Sequence, residues 1–179
     1  GTGHNLNEDV GKFILFFRMV SLSRGFSGVS NELLENMREL FNKGIYPVIP
    51  REGSLGASGD LIPLAYLANN IRGKGEVYYK GSICDLEELV KAGLYNGYEL
   101  KPKEGLALVN GTTAMEGLCF FNYRRSQFLT ELAALCSSWL CISVNGRNEA
   151  FGKLVNEQSK KFYGLLCVEL IQEGGPDHF

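Results

Sequence analysis

The chain has 179 residues, of which 45% are hydrophobic and 21% charged, and its formal net charge is −2 at pH 7. These values exclude a disordered or fibrous chain, and the length predicts one domain over residues 1–179. No basic run exceeds two residues, so nucleic acid is not an expected partner.

The cysteine and histidine content bears on compartment and metal binding. The five cysteines are scattered without a CxxC pair, which predicts reduced, mostly buried thiols of a cytoplasmic protein. The two histidines, His4 and His178, lie near the chain ends, so no metal site is expected. The first residues show no basic segment followed by an apolar one, so no signal peptide is predicted.

Helical periodicity dominates the first part of the chain. Asn7 caps a predicted helix over residues 8–24, which Gly25 ends because glycine readily adopts the left-handed conformation found beyond helix C-termini. A second helix is predicted from near Ser30 or Asn31, with Gly44 as its end.

Residues 47–59 contain two prolines and three glycines, a composition that predicts a loop without a regular element. Asp60 then has the residue type of an N-cap, and a third helix is predicted from there to about Ile71. Pro63 falls in the first turn of this helix, where the missing N–H costs nothing because it would have no partner within the helix.

The second half of the chain begins with three short segments. The glycine-punctuated residues 73–81 predict a hairpin or extended loop, residues 85–92 a brief polar helix, and residues 93–103 a connector. The longest predicted helix begins near Thr112 and reaches about Val144.

The most apolar part of this long helix, residues 128–144, is about as long as a membrane span. It contains Glu131 and several hydroxyl-bearing residues, which favours a buried core helix over a membrane segment. Taken together, the pattern predicts an all-α (mainly α) fold with a small irregular or hairpin patch near residues 73–82 and no membrane partner.

The stretch GSLGASGDLIPLAY, residues 53–66, places a flexible loop directly before a helix. One interpretation is a plain turn that leads into an N-cap. A phosphate-binding loop is a second, but the stretch lacks the GxxxxGK[ST] pattern and no strand is predicted before it. A nucleophilic Ser58 is a third, although no histidine lies near it in sequence to activate it.

A fourth interpretation uses the tripeptide Ala57, Ser58 and Gly59. Attack of the Gly59 nitrogen on the Ala57 carbonyl carbon, with loss of two waters, one of which carries the Ser58 oxygen, gives a methylidene imidazolone. Small residues are needed on both sides of Ser58 because the backbone must close a tight ring without hindrance. The helix that follows would direct its positive end toward a ring that becomes electron-rich when a nucleophile adds.

The tripeptide belongs to a longer pattern. GSLGASGDLIPLAYLA, together with SLSRGFSGV, YPVIPREGS, GKGEVYYKG and EGLALVNGTTAM, resembles the aromatic amino acid ammonia-lyases, a family of histidine, phenylalanine and tyrosine ammonia-lyases and related aminomutases. These motifs stand in the family's order over roughly residues 1–158. The resemblance implies a bundle of long helices, a homotetramer and a small amino-acid substrate.

The resemblance also implies roles for particular residues. Ala57, Ser58 and Gly59 match the triad that forms a self-derived 4-methylidene-imidazol-5-one, so no external cofactor is expected. Asn110 matches the asparagine near the prosthetic group and the substrate, and Leu61 matches a position that lines the substrate pocket. From the residues alone, Asn110 is equally compatible with a simple helix cap and Leu61 with a core leucine.

Parts of the family pattern have no counterpart here, among them the catalytic tyrosine loop and the later residues that complete the pocket. The resemblance therefore implies a fragment or truncated member without turnover of its own, which exposes apolar helix faces and self-associates. Two alternatives stay open: an aminomutase with the same prosthetic group, and a non-catalytic helical association module. Tyr66 and the NGTTAM segment slightly disfavour histidine as the substrate.

Overall fold

The computed structural model describes residues 1–56, 58–147 and 151–159. Helices dominate these residues, which confirms the prediction of a mainly α fold. In chain order the elements are β1 (Thr2–Asn5), α1 (Glu8–Ser23), α2 (Asn31–Asn42), β2 (Ile45–Pro47), β3 (Pro50–Glu52), α3 (Leu61–Ile71), β4 (Glu76–Tyr79), β5 (Ser82–Asp85), α4 (Leu86–Lys91), α5 (Glu104–Val109), α6 (Thr113–Ser143) and α7 (Lys153–Ser159).

The chain divides into two compact units, Gly1–Phe121 and Asn122–Phe179. The first unit holds a continuous hydrophobic core to which α1, α2 and α3 contribute most of the fully buried side chains. The single domain over residues 1–179 stays a prediction. The largest of the fully buried side chains are Tyr95, Ile14, Leu15, Leu22, Leu33, Met37, Leu40, Ile45, Ile49, Leu64, Leu67 and Ile71.

The predicted helix starts of the first part are confirmed in detail. The backbone N–H of Val10 donates to Oδ1 of Asn7 at 3.1 Å, and the N–H of Leu33 donates to Oγ of Ser30 at 3.3 Å. These bonds serve amides of the first helical turn, which lack the usual carbonyl partner four residues earlier within the helix. Local residue types were therefore sufficient to place the beginnings of α1 and α2.

Two small antiparallel sheets accompany the helices of the first unit. β1 pairs with β3, and the second sheet has the order β2-β4-β5. The β4–β5 hairpin turns at Lys80 and Gly81, whose φ angles of +52° and +77° are those of a type I′ turn. This confirms the hairpin alternative for residues 73–81.

The prediction of a loop without regular structure over residues 47–59 is wrong in part. Pro47 ends β2, and Pro50–Glu52 forms β3, which pairs with β1 from the start of the chain. A short edge strand tolerates proline because its outer side needs no N–H donor. The helix α5 was also not predicted, since its six residues are too few for a periodic pattern to stand out.

The prediction of a buried core helix for residues 128–144 is wrong for the structure described. These residues lie in α6, yet Trp139 is 61% and Leu140 65% exposed, and among described residues 122–147 only Ala134 and Ser138 are buried. Amphipathic spacing indicates that a helix face is covered but does not say by which surface. No helix among the described residues is long and apolar enough to span a membrane.

The prediction of mostly buried thiols is also wrong for the described cysteines. Cys119 and Cys136 are exposed, Cys84 and Cys141 are half-buried, and all four are free thiols. Cys167 lies outside the described residues. Cysteine burial follows from the tertiary packing of each helix face, which the scattered spacing of these residues did not reveal.

A buried carboxylate connects α5 to the start of α2. Glu104 is 2% exposed, and its Oε1 accepts from the backbone N–H of Ser30 at 3.0 Å and from its hydroxyl at 2.7 Å. Oε2 accepts from the Tyr98 hydroxyl at 3.0 Å and from the Lys101 N–H at 2.8 Å. Burial raises the pKa of Glu104, but the hydrogen bonds from Ser30, Lys101 and Tyr98 outweigh it and hold the pKa below its ordinary value.

Replacing Glu104 by Gln is expected to lower the free energy of unfolding at pH 7 by about 2–4 kcal/mol, because an amide cannot accept at both positions and loses the charge-assisted bonds. Since the folded pKa is lowered, the ionised carboxylate stabilises the fold at neutral pH, and this contribution disappears as pH falls through the folded pKa. Urea denaturation at pH 7 and at pH 3 measures both effects.

The difference in stability between the native chain and Glu104→Gln should therefore shrink strongly at pH 3. Glu99 is an exposed carboxylate close by in sequence, and Glu99→Gln serves as the matched control, with an expected change within about 0.5 kcal/mol at either pH. Equal effects of the two substitutions at pH 7 would contradict the role given to Glu104.

Candidate functional site

The loop before α3 turns sharply at Gly59. The N–H of Asp60 donates to the carbonyl oxygen of Ser58 at 2.6 Å, and Gly59 has a φ of +64°, which together describe a γ-turn centred on the glycine. A side chain is strained at that φ, so the turn requires glycine. Ser58 is exposed, and Ala57 lies outside the described residues.

Asp60 does not cap α3 with its side chain as predicted. It occupies the N-cap position, but no side-chain cap hydrogen bond is made to α3. Instead its Oδ2 accepts from the backbone N–H of Met115, in the first turn of α6, at 2.9 Å. That amide has no intrahelical partner, and Thr112 directs its own hydroxyl to Glu116 at 2.7 Å.

Asn110 lies between α5 and α6. It is the C-cap residue of α5 rather than the residue that begins α6, its N–H donates to the Leu106 carbonyl at 3.0 Å, and its side chain is exposed. Its own carbonyl oxygen accepts from Nη2 of Arg18 at 3.0 Å. The alternative of a cap for the helix that begins near Thr112 is therefore wrong, because Asn110 ends α5 and α6 begins only at Thr113.

Arg18 is a functional candidate that sequence reasoning missed. It lies on α1, is 3% exposed, and donates to the carbonyl oxygens of Ala107 and Asn110. Burial lowers the pKa of its guanidinium, and the negative charges of Glu116 and Asp60 act in the opposite direction. The signal available in the sequence was a cation on the otherwise apolar stripe of α1, one turn from buried aliphatic residues.

A cavity of about 340 Å³ opens beside the Gly59 turn. The loop supplies Ser58 and Gly59, and the start of α6 supplies Ala114 and Met115. The Asp60–Met115 hydrogen bond therefore joins two walls of one cavity. The lining residues are Leu6, Pro50, Arg51, Ser54, Ser58, Gly59, Asp60, Pro63, Thr112, Ala114, Met115 and Leu118.

Two predicted site residues lie outside this lining. Leu61 is the first residue of α3 and is 40% exposed, so the alternative of a core leucine is wrong. Asn110 stands two residues before the lining residue Thr112. The described part of the predicted triad, Ser58 and Gly59, does face the cavity.

Comparisons with known proteins place this chain in a family. Residues 1–165 match the model of the family described as aromatic amino acid lyase. A histidine ammonia-lyase of Alkaliphilus oremlandii is 36% identical over 169 residues, which are 94% of this chain and 33% of that protein.

Solved structures agree with this match. Phenylalanine aminomutase from Pantoea agglomerans has a TM-score of 0.81 at 32% identity, covering 97% of this chain and 33% of that one. Tyrosine aminomutase from Streptomyces globisporus has a TM-score of 0.83 at 29% identity, covering 96% and 32%. The chain spans about a third of the length of these relatives. With a family model matched over most of its residues, the chain belongs to the aromatic amino acid lyase family.

Proposed function

We propose that this chain carries the prosthetic-group segment of an ammonia-lyase, which eliminates ammonia from an aromatic or histidine-type L-amino acid to give an α,β-unsaturated acid. The observation that carries the proposal is the glycine-dependent turn at Gly59, which faces a cavity together with Ser58. The enzyme class, a carbon–nitrogen lyase, follows from family membership.

Ring closure is the first chemical step required of these residues. The Gly59 nitrogen would bond to the Ala57 carbonyl carbon. The Ala57 oxygen would leave as one water with the hydrogens of the Gly59 and Ser58 nitrogens, as a double bond forms between the Ala57 carbon and the Ser58 nitrogen. The Ser58 hydroxyl would leave with the Ser58 α-hydrogen as a second water. The turn supports this because the backbone at Gly59 is already bent tightly, with the Asp60 N–H donating to the Ser58 carbonyl oxygen.

The resulting 4-methylidene-imidazol-5-one supplies an electrophile that makes the substrate amine a better leaving group. The chain's own residues orient the reactants. The first amides of α3 are free of a cap from Asp60, so the positive end of that helix is available to negative charge beside the loop. Asn110 would donate from its amide to the substrate carboxylate, and Leu61 would bound the substrate side chain.

Two alternatives have particular support. An aminomutase is supported by the similarity to phenylalanine and tyrosine aminomutases. A non-catalytic association module is supported by the exposed apolar side chains of α6. The similarity to a histidine ammonia-lyase weighs against the small preference for a substrate other than histidine. We therefore propose an aromatic or histidine-type L-amino acid as the substrate and do not choose between the two types. A cytoplasmic location belongs to the same proposal.

Ring formation predicts a specific loss of mass. The intact chain, and the peptide containing residues 53–66, should each weigh less than the sequence by two water molecules. Ser58→Ala should lose at most one water, because alanine has no hydroxyl to lose. Intact-protein and peptide mass spectrometry make the measurement.

Ser82→Ala is the matched control for this loss of mass. Ser82 is exposed and begins β5, well away from the loop in sequence, so its substitution should leave the loss of two waters unchanged. A native chain of full sequence mass would contradict ring formation and favour the association module.

Asn110→Ala is expected to weaken binding of an unsaturated product acid, trans-cinnamate or urocanate, about 10- to 100-fold, because a hydrogen bond to a carboxylate is lost. Isothermal titration calorimetry measures the dissociation constant. Asn96→Ala, at another exposed asparagine, should leave the constant within about twofold, and an equal effect of both substitutions would refute the role of Asn110.

Self-association follows from the exposed stripe on α6. Leu129, Leu132, Leu140 and Trp139 are all exposed and are spaced so that they share one helix face. We propose that copies of the chain bury this stripe against one another, as part of the homotetramer implied by the family resemblance. Sedimentation should give a mass above the 19.8 kDa of one chain.

Leu140→Lys should lower the association constant at least about tenfold, since it places a charge in the buried interface. Lys91→Glu, at the exposed last residue of α4 in the first unit, is the control and should leave the association constant unchanged. A clean monomer at millimolar chain concentration would count against the interface.

A further inference from the structure

Arg18 makes contacts that are concentrated on a single turn of the chain. Its guanidinium donates to the carbonyl oxygens of Ala107 and Asn110, at the C-terminal end of α5. Those carbonyls lack partners inside the helix and lie at the negative end of its dipole. A side chain from α1 thus closes the end of a helix that lies about 90 residues further along the chain.

The next residue, Gly111, packs directly against the guanidinium of Arg18. An added Cβ at Gly111 would overlap the guanidinium, with Cζ of Arg18 only 2.8 Å away. The absence of a side chain therefore lets the cation lie directly against the backbone between Asn110 and Thr112. The position of Asn110 is set by Arg18 on one side, and the start of α6 is set by Asp60 on the other.

Stability alone does not account for a cation at this position. Arg18 is buried, and its Nε has no hydrogen-bond partner among the described residues. Burying a charge with an unpaired donor is unfavourable, and an apolar residue of similar size often serves a core equally well. An unsatisfied buried donor calls for a specific explanation, and holding a functional turn is one.

We propose that Arg18 is a positioning residue for Asn110. It fixes the backbone of Asn110 through its carbonyl, so that the Asn110 amide is presented to a substrate carboxylate beside the Ser58–Gly59 loop. The proposal rests on the proposed function for its catalytic meaning, but the positioning itself is measurable without any reaction.

The first measurement is hydrogen exchange at the backbone amide of Asn110 in the full 179-residue chain, followed by NMR together with the side-chain amide resonance of Asn110. Arg18→Lys keeps the charge but loses the planar fork that reaches both carbonyls. It should accelerate exchange at Asn110 about tenfold and shift the side-chain resonance. Arg24→Lys, at the end of the same helix, is the matched control and should change neither.

A second variant tests the proposal in case Arg18→Lys does not fold. Gly111→Ala keeps Arg18 but displaces its guanidinium by the overlap described above, so it should change exchange and resonance at Asn110 in the same direction. Unchanged exchange and resonance at Asn110 in either folded variant would overturn the proposal.

The second measurement separates positioning from a general structural role. Arg18→Lys should weaken binding of trans-cinnamate or urocanate about tenfold in the native background but less than about twofold in Asn110→Ala, because the group it positions is then gone. An equal loss of affinity in both backgrounds would show a role unrelated to the Asn110 side chain and would overturn the proposal.

The intact mass of the native chain separates failure of the Arg18 proposal from failure of the proposed function. If the native chain lacks the loss of two waters, ring formation fails, while exchange at Asn110 still decides the role of Arg18. If the loss is present and Arg18→Lys leaves Asn110 unchanged, the proposed function stands and the positioning proposal fails.

Discussion

The hydrogen bond from the Met115 N–H to the Asp60 carboxylate is the contact on which the site depends. It joins the loop before α3 to the first turn of α6, two segments that are 55 residues apart. A carboxylate is well suited to this place, because the first amides of a helix are unpaired donors at the positive end of the dipole. Breaking it would separate two walls of the cavity that Ser58 and Gly59 face.

A second hydrogen-bonded carboxylate holds the start of a helix in the first unit. Glu104 accepts from both the N–H and the hydroxyl of Ser30, a task that a glutamate three residues along performs in an ordinary capping box. In both cases a buried carboxylate satisfies the start of a helix that is remote in sequence. These bonds fix how the helices are placed, because a buried amide and a buried carboxylate each lose much if left unpaired.

Arg18 completes this arrangement from the opposite end of a helix. It binds the carbonyls that end α5 while Asp60 binds an amide that begins α6, so the turn between the two helices is held at both sides by opposite charges. The short segment with Asn110, Gly111 and Thr112 therefore has little freedom. The ring closure and the oriented substrate that we propose would both depend on such fixed geometry.

The sequence by itself determined the features that depend on neighbouring residues. Asn7 caps α1 because its side chain reaches an amide three residues along, and the glycine-punctuated residues 73–81 lie in a hairpin. The motif around Ala57, Ser58 and Gly59, together with four further motifs, predicted the family. Tertiary structure alone decided the partner of Asp60, the burial of Arg18, the pairing of β1 with β3 and the exposure of residues 128–144. Each of these depends on which remote surface meets a residue, and local periodicity and residue type do not identify that surface.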